Sequence, residues 1–242
     1  MPVTPPTDED LTRIAAHYGF HLGAEDLRSF GALAGGLLVS YDEVERLYEQ
    51  ARPAPPPQRR YQWPADGMVT QMVDGNAFGM NWPGRYDPDL MCHYARGRRE
   101  HADALPETVK AAMFCGRYTI DRYYGRHYAM ARNLALTVTA AYDAALAEAD
   151  VLVMPTLPIV ATDIPPPGVA REESIARSTE MIVNTAPFDV SGHPAMSVPA
   201  GLAGGLPVGL MIVGRHFGDA TCLRTARALE AAVGGFPSPP GN

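Results

Sequence analysis

The stretch Asn184–Phe217 reads N-T-A-P-F-D-V-S-G-H-P-A-M-S-V-P-A-G-L-A-G-G-L-P-V-G-L-M-I-V-G-R-H-F, and its reading decides the fold. Two apolar runs, Ala195–Pro199 and Val208–Val213, flank Ala200–Pro207, which holds three glycines and a proline. Gly reaches positive φ without steric cost and Pro fixes φ, so the middle segment is turn chemistry between two strands. In the second run Val208, Leu210 and Ile212 point one way, and Met211 and Val213 the other. A strand with one wet face alternates apolar with polar; this one does not, which predicts a strand covered on both faces.

Working outward, Val151–Met154 is a third apolar run, bounded by Pro155, and reads as another fully buried strand. Between the strands, Pro158 to Gly168 is a Pro-rich loop and about Glu172 to Val183 a helix. After the hairpin, Asp219 is placed to cap a last helix with Leu223, Ala226 and Leu229 inward and Gly234 at its end. Before the strands, a helical tract runs from Pro106 to about Ala149, divided at Gly116 and Gly125. Its later half carries an apolar stripe of Leu134, Val138, Ala141, Tyr142, Ala145 and Leu146. Asp87-Pro88 starts a helix to about Arg99, with Leu90, Met91 and Tyr94 inward. Its charged end, R-G-R-R-E-H, reads as a solvated helix terminus or an anion patch.

Residues 7–52 predict three short helices. Thr7 caps the first, which ends at Gly19; the second spans about Ala24 to Leu38; Ser40 and Glu43 form a capping box for the third. His17 and His21 have the four-residue spacing of metal ligands on a helix, but Gly19 lies between them and no third ligand is evident. The run Arg52–Arg60 is rich in Pro and predicts an extended linker, with a ligand for a Pro-binding groove as the alternative. Residues 62–86 are Gly- and Asn-rich and read as looped.

Composition narrows the function classes. Gly and Pro, 23 of each, make about a fifth of the chain against roughly 12% in average usage, which predicts many turns. A net charge of -7 argues against nucleic acid or an anionic membrane as partner. No apolar run approaches the ~20 residues of a membrane span, and the first residues lack a basic and apolar leader. Cys92, Cys115 and Cys222 are too few and too scattered for a disulfide framework, so free thiols and a cytoplasmic location are expected.

The segments N-T-A-P-F-D-V-S-G-H-P-A-M-S-V-P-A-G and G-L-P-V-G-L-M-I-V-G-R-H-F-G-D-A-T resemble the C-terminal part of the amidase signature family, which hydrolyses carboxamides to acid and ammonia. Residues 1–60 are similar to the helical N-terminal extension of amidases of the nitrile-degradation type. The resemblance implies an α/β chain: a partial amidase-signature fold with an incomplete mixed sheet flanked by helices. It divides into a helical subdomain at 1–52, a linker at 53–61 and the C-terminal part at 62–242.

The resemblance also implies what this sequence omits. The family uses a Ser nucleophile, a second Ser in a cis peptide and a Lys base, with both serines in or near a Gly-Gly-Ser-Ser-Gly-Gly loop, since a hydroxyl attacks only when a base takes its proton. Here no two serines are adjacent, and Lys110, the one lysine, does not match the family's base. No catalytic residue is therefore assigned and the chain is expected to be inactive alone, whether as a decayed gene, an artefact or a retained remnant. By position Thr156, Pro158, Asn184 and Phe188 correspond to residues near the bound amide, and are assigned to substrate binding. Asp189, Ser191 and His193 lie within five residues and tempt a triad reading, but alternate residues rarely converge and satisfied loop donors are the simpler account. Cys115 and Cys222 fall on apolar helix faces, as packing thiols do. No motif points to a cofactor or metal. Three strands are few for residues this apolar, so a second copy or a core-bearing partner is expected to complete the sheet. An active amidase with a non-family nucleophile, such as Ser191, is the third reading.

Overall fold

A computed structural model describes residues 3–51 and 87–236. The linker at 53–61 and the looped tract at 62–86 lie outside the described residues. The chain divides into two compact units, Met1–Leu134 with Ala170–Ile175, and Ala135–Val169 with Ala176–Asn242.

The first unit is helical. Helix α1 (Asp8–Tyr18) begins with a capping box in which the Thr7 hydroxyl accepts from the Asp10 amide and the Asp10 carboxylate accepts from the Thr7 amide, and it ends at Gly19 with φ 75°. Helix α2 is continuous over Ala24–Ala51, where two helices were expected. The Ser40 hydroxyl donates back to the Leu37 carbonyl at 2.6 Å instead of capping a new helix, and Glu43 pairs with Arg46. The buried face Phe30, Ala34, Leu38 and Glu45 runs through the supposed break, so tertiary packing overrides the local capping signal. Helix α3 (Pro88–Glu100) starts as expected, with the Asp87 side chain accepting from the Leu90 amide. Leu90 itself is exposed, and Arg98, in the charged end of α3, sits over the Tyr18 ring at 5.5 Å. A single 3-10 turn (Ala102–Ala104) leads to helix α4 (Glu107–Tyr123). Gly116 stays inside α4; the break falls at Tyr124 and Gly125, both left-handed at φ 54° and 76°.

The core of this unit is aromatic. Phe30 stacks on Phe114 with centroids 5.0 Å apart, and Phe20 lies 5.7 Å from the same ring. Leu11, Ile14 and Tyr18 of α1 close over them. Gly31 permits this approach, because a Cβ there would lie 2.9 Å from the Leu11 methyl. The Arg171 guanidinium covers the Phe30 ring at 4.3 Å and donates to Asp26 and Glu107, with Asp26 held below the usual carboxylate range chiefly by its hydrogen bond from Arg171.

Helix α5 (Arg126–Glu148) runs from the first unit into the second, as does α6 (Arg171–Glu180), which stops short of the expected Val183. In the second unit, strands β1 (Val151–Pro155), β2 (Ala195–Ala203) and β3 (Leu206–Gly214) form an antiparallel sheet in the order β1-β3-β2. The hairpin turn is tighter than the sequence suggested. Ala203 pairs with Leu206, leaving only Gly204 and Gly205 at the tip with φ 58° and 84°. Positive φ at both central residues is the two-residue turn whose twist matches the strands. Leu210 and Ile212 pack toward helix α8 (Asp219–Ala232) through Cys222 and Ala226, while Met211 and Val213 pack with Phe188 and Tyr142. The two-faced reading of β3 therefore holds.

Its neighbours differ from expectation. β1 is half open: Val153 on its face is 50% exposed, and among the described residues the strand pairs only with β3. β2 is exposed beyond Val198 and bulges between Pro199 and Gly201. On α5 Leu146 is buried but Val138 is exposed, and on α8 Leu223 is exposed. Asp219 is the first residue of α8 and caps nothing; Gly218 takes the cap position without a side-chain bond.

Phe30→Ala is expected to lower stability by about 3–5 kcal/mol, since it removes the stacked ring beneath Arg171 and leaves a cavity. Urea unfolding followed by circular dichroism measures it.

Candidate functional site

The apolar end of the hairpin positions a small site. Helix α7 (Ala186–Ser191) lies just before β2, and Thr156 directly follows β1. Together with the start of β2 they enclose a cavity of about 300 Å³ lined by Thr156, Thr185, Phe188, Asp189, His193, Ala195, Met196, Ser197 and Met211. The Thr156 and Ser197 hydroxyls share a hydrogen bond of 2.6 Å on its floor. Gly209 lies beneath this pair, where a Cβ would approach Ser197 Oγ to 2.7 Å and Thr156 Oγ1 to 2.8 Å. The Thr156 amide donates to the Gly209 carbonyl at 2.9 Å, which continues the β1–β3 ladder into the floor.

Of the four residues assigned to substrate binding, the structure brings Thr156 and Phe188 into the lining of one cavity. Asn184 stands behind them, its side-chain amide donating to the Pro155 carbonyl at 2.9 Å and so tying the approach to α7 onto the end of β1. Pro158 is exposed and lies outside that lining. Phe188 is held by Tyr142, with ring centroids 4.9 Å apart.

The D-V-S-G-H segment arranges itself differently from either sequence reading. Gly192 adopts φ 74°, which turns the chain so that the side chains of Ser191 and His193 meet. His193 Nδ1 lies 3.0 Å from Ser191 Oγ, and His193 Nε2 lies 3.3 Å from Asp143 Oδ1 on α5. The carboxylate is thus Asp143, not the exposed Asp189, and the Ser191 hydroxyl partners an imidazole, where satisfied loop backbone donors were expected. His216 joins from beyond β3, its Nε2 3.9 Å from Asp143 Oδ1 and its ring stacked on His193 at 4.1 Å. Asp143 and His216 escaped the sequence reading because neither lies near the segment they complete. Ser191 is only 1% exposed, so this Ser-His-Asp relay presents no hydroxyl to a substrate.

Other candidate nucleophiles and bases are occupied. Lys110 is buried, donating to the Asp103 carbonyl at 2.8 Å and reaching Glu107 at 3.4 Å. Burial raises the thiols of Cys115 and Cys222 above their ordinary range. His17 packs edge-on against Tyr18, and His21 pairs with Asp103 at 2.8 Å beyond the end of α1.

A helix-flanked α/β unit with a hydroxyl-floored cavity beside its central strand is the class defined here. Residues 44–223 match the family model described as Amidase. The chain belongs to the amidase family, in its amidase signature branch. It is 56% identical over 174 residues to the "Uncharacterized protein in nthA 5'region" of Rhodococcus erythropolis, covering 72% of this chain and 87% of that one. It is 52% identical over 176 residues to the "Enantioselective amidase" of Rhodococcus rhodochrous, covering 72% of this chain but 34% of that enzyme. The chain thus spans most of one relative and about a third of the other. Among solved structures it is similar to a bacterial aryl acylamidase of the amidase signature enzymes, with TM-score 0.41 and 22% identity, over 68% of this chain and 40% of that one. Among the described residues no helix is long and apolar enough to cross a membrane.

Gly209→Ala is expected to cost about 1–3 kcal/mol by forcing the Thr156 and Ser197 hydroxyls apart. Adding Ser197→Ala should recover part of that loss in a double-mutant cycle of thermal melts. Of the three thiols, Cys92 alone should react with an aromatic disulfide reagent in the native chain, and all three in denaturant, by absorbance.

Proposed function

We propose that this chain retains part of an amidase's substrate pocket without its hydrolytic centre, and releases no ammonia from carboxamides on its own. The observation that carries the reading is the fate of its one lysine: Lys110 is buried and donates to a backbone carbonyl, with no serine among its described partners. Without a base beside an accessible hydroxyl, a serine does not attack an amide at neutral pH. Ser191, the one serine with an imidazole partner among the described residues, is sealed from solvent.

On this reading Thr156, Asn184 and Phe188 are the surviving pocket elements, with Thr156 and Phe188 lining the cavity and Asn184 bracing the end of β1. Pro158 is the weakest of the four assignments, being exposed away from the cavity.

A second reading, that the chain assembles with a copy of itself or with a core-bearing amidase, is favoured by the open face of β1. Val153 there is 50% exposed, as is unusual for a strand of this composition. Light scattering coupled to size exclusion tests it, and a monomer of 26.1 kDa would count against it.

Purified protein incubated with propionamide or benzamide should yield no ammonia above the protein-free control. Turnover that a serine-directed inhibitor abolishes would overturn the reading.

A further inference from the structure

We propose that Asp143, His193 and His216 form a binding site for a divalent transition metal of the zinc class. The three side chains come from separate elements, yet the fold drives them together. Ala195 pairs with Val213, and the Gly214 amide donates to the Pro194 carbonyl at 2.9 Å, so the residues leaving β3 lie beside those entering β2. His193 and His216 therefore meet at one end of the hairpin. Arg215 Nε donates to the Leu146 carbonyl at 2.8 Å, which fastens that end to α5 one turn beyond Asp143.

The geometry suits a metal better than a hydrogen-bond network alone. One ligand atom from each residue lies within 4.8 Å of the others, with separations of 3.3 Å and 3.9 Å from the carboxylate oxygen to the two imidazoles. Tetrahedral zinc with bonds of about 2.0–2.1 Å places its ligand atoms about 3.3 Å apart, so the carboxylate-to-His193 separation already fits and the wider separations must shorten on binding. His216 Nε2 is sealed from solvent and has no hydrogen-bond partner among the described residues, and the Asp143 carboxylate oxygen, 3.9 Å away, is too far to serve. A buried acceptor left unpaired is costly, and a cation at the centre of the trio removes that cost.

The surrounding shell fits as well. His193 Nδ1 can donate to Ser191 Oγ at 3.0 Å, which leaves the Nε2 lone pair for the metal. Such a partner on the far ring nitrogen is the usual support of a ligating histidine. The His193 side chain is fully buried and His216 Nε2 is sealed, whereas the Asp143 side chain is 33% exposed, so the position left for a water as fourth ligand lies on the Asp143 side. Two imidazoles and one carboxylate favour Zn²⁺ over Mg²⁺ or Ca²⁺, which prefer oxygen shells. The inference is independent of whether the chain hydrolyses amides.

Full-length protein stripped with a chelator is dialysed against Zn²⁺, with Mg²⁺ as control, and bound metal is counted by mass spectrometry. One Zn²⁺ per chain is expected, with affinity falling more than about tenfold in His216→Ala and in Asp143→Asn, given that even outer-shell partners cost about 10–100-fold. His21→Ala, in the other unit, should keep it. Co²⁺ should give the strong visible bands of a tetrahedral site in the parent and lose them in Asp143→Asn, whose shape is nearly unchanged. No zinc bound, equal binding in both variants, or equal competition by Mg²⁺ overturns the proposal and leaves the trio a hydrogen-bonded relay.

Discussion

Strand β3 must be kept dry on both faces, and the second unit is arranged to do this. Met211, Ile212 and Val213 are each at most 2% exposed. Burying side chains of this size contributes about 1.5–3 kcal/mol apiece, so covering both faces outweighs any single polar contact nearby. One cover is α8, brought close at Gly214, where a Cβ would lie 2.7 Å from Cys222 Sγ. The other is Phe188 and Tyr142. Phe188 is also a cavity wall, so the packing that stabilises the strand is the packing that shapes the pocket. Gly209, though not itself in the lining, bears on the pocket in the same way, through the Thr156 and Ser197 hydroxyls packed over it.

The features legible in the sequence are those set by periodicity over a few residues. The two-faced character of β3, the capping box of α1 and the Asp87-Pro88 helix start all follow from neighbours in the chain. Structure and expectation part where a local signal competes with burial. Ser40 and Glu43 look like a helix start, yet the buried face of α2 passes through them. Gly116 looks like a break, yet α4 is pinned by the Phe114 and Tyr118 side chains on either side of it. Leu90, Val138 and Leu223 stand exposed although each belongs to an apolar stripe, because a stripe states what can be covered, not what is. The site was only half legible. The spacing of Asp189, Ser191 and His193 drew the eye to the right segment and the wrong carboxylate, since Asp143 lies 50 residues from His193.

The relay of Ser191, His193 and Asp143 shows why a list of residue types does not make an active site. A nucleophile needs an activated hydroxyl, a base and access for the substrate. Here the first two stand in contact and the third is denied. The αL turn at Gly192 that joins Ser191 to His193 also leaves the hydroxyl buried between α7 and the hairpin. Lys110 is the complementary case: its ammonium is satisfied by the Asp103 carbonyl and Glu107, so its contacts are those of a structural cation. Both residues are committed to holding backbone or neighbours in place.

The open margins of the sheet restrict how a partner could complete it. Adding a strand requires a run of free backbone donors and acceptors. β1 offers at most five residues, ends at a proline, and has its last carbonyl taken by Asn184. β2 is longer, but Pro199 lacks an amide and the bulge at Gly201 breaks the register there. Backbone pairing along either edge would therefore be short. The exposed side chains extend further, from Val153 in β1 through Leu157, Ile159 and Val160 in the tract after it. Any association of this unit would accordingly draw on burial of apolar side chains more than on strand addition, and its strength should follow the size of Val153 and its neighbours, not the hydrogen-bonding capacity of the edge.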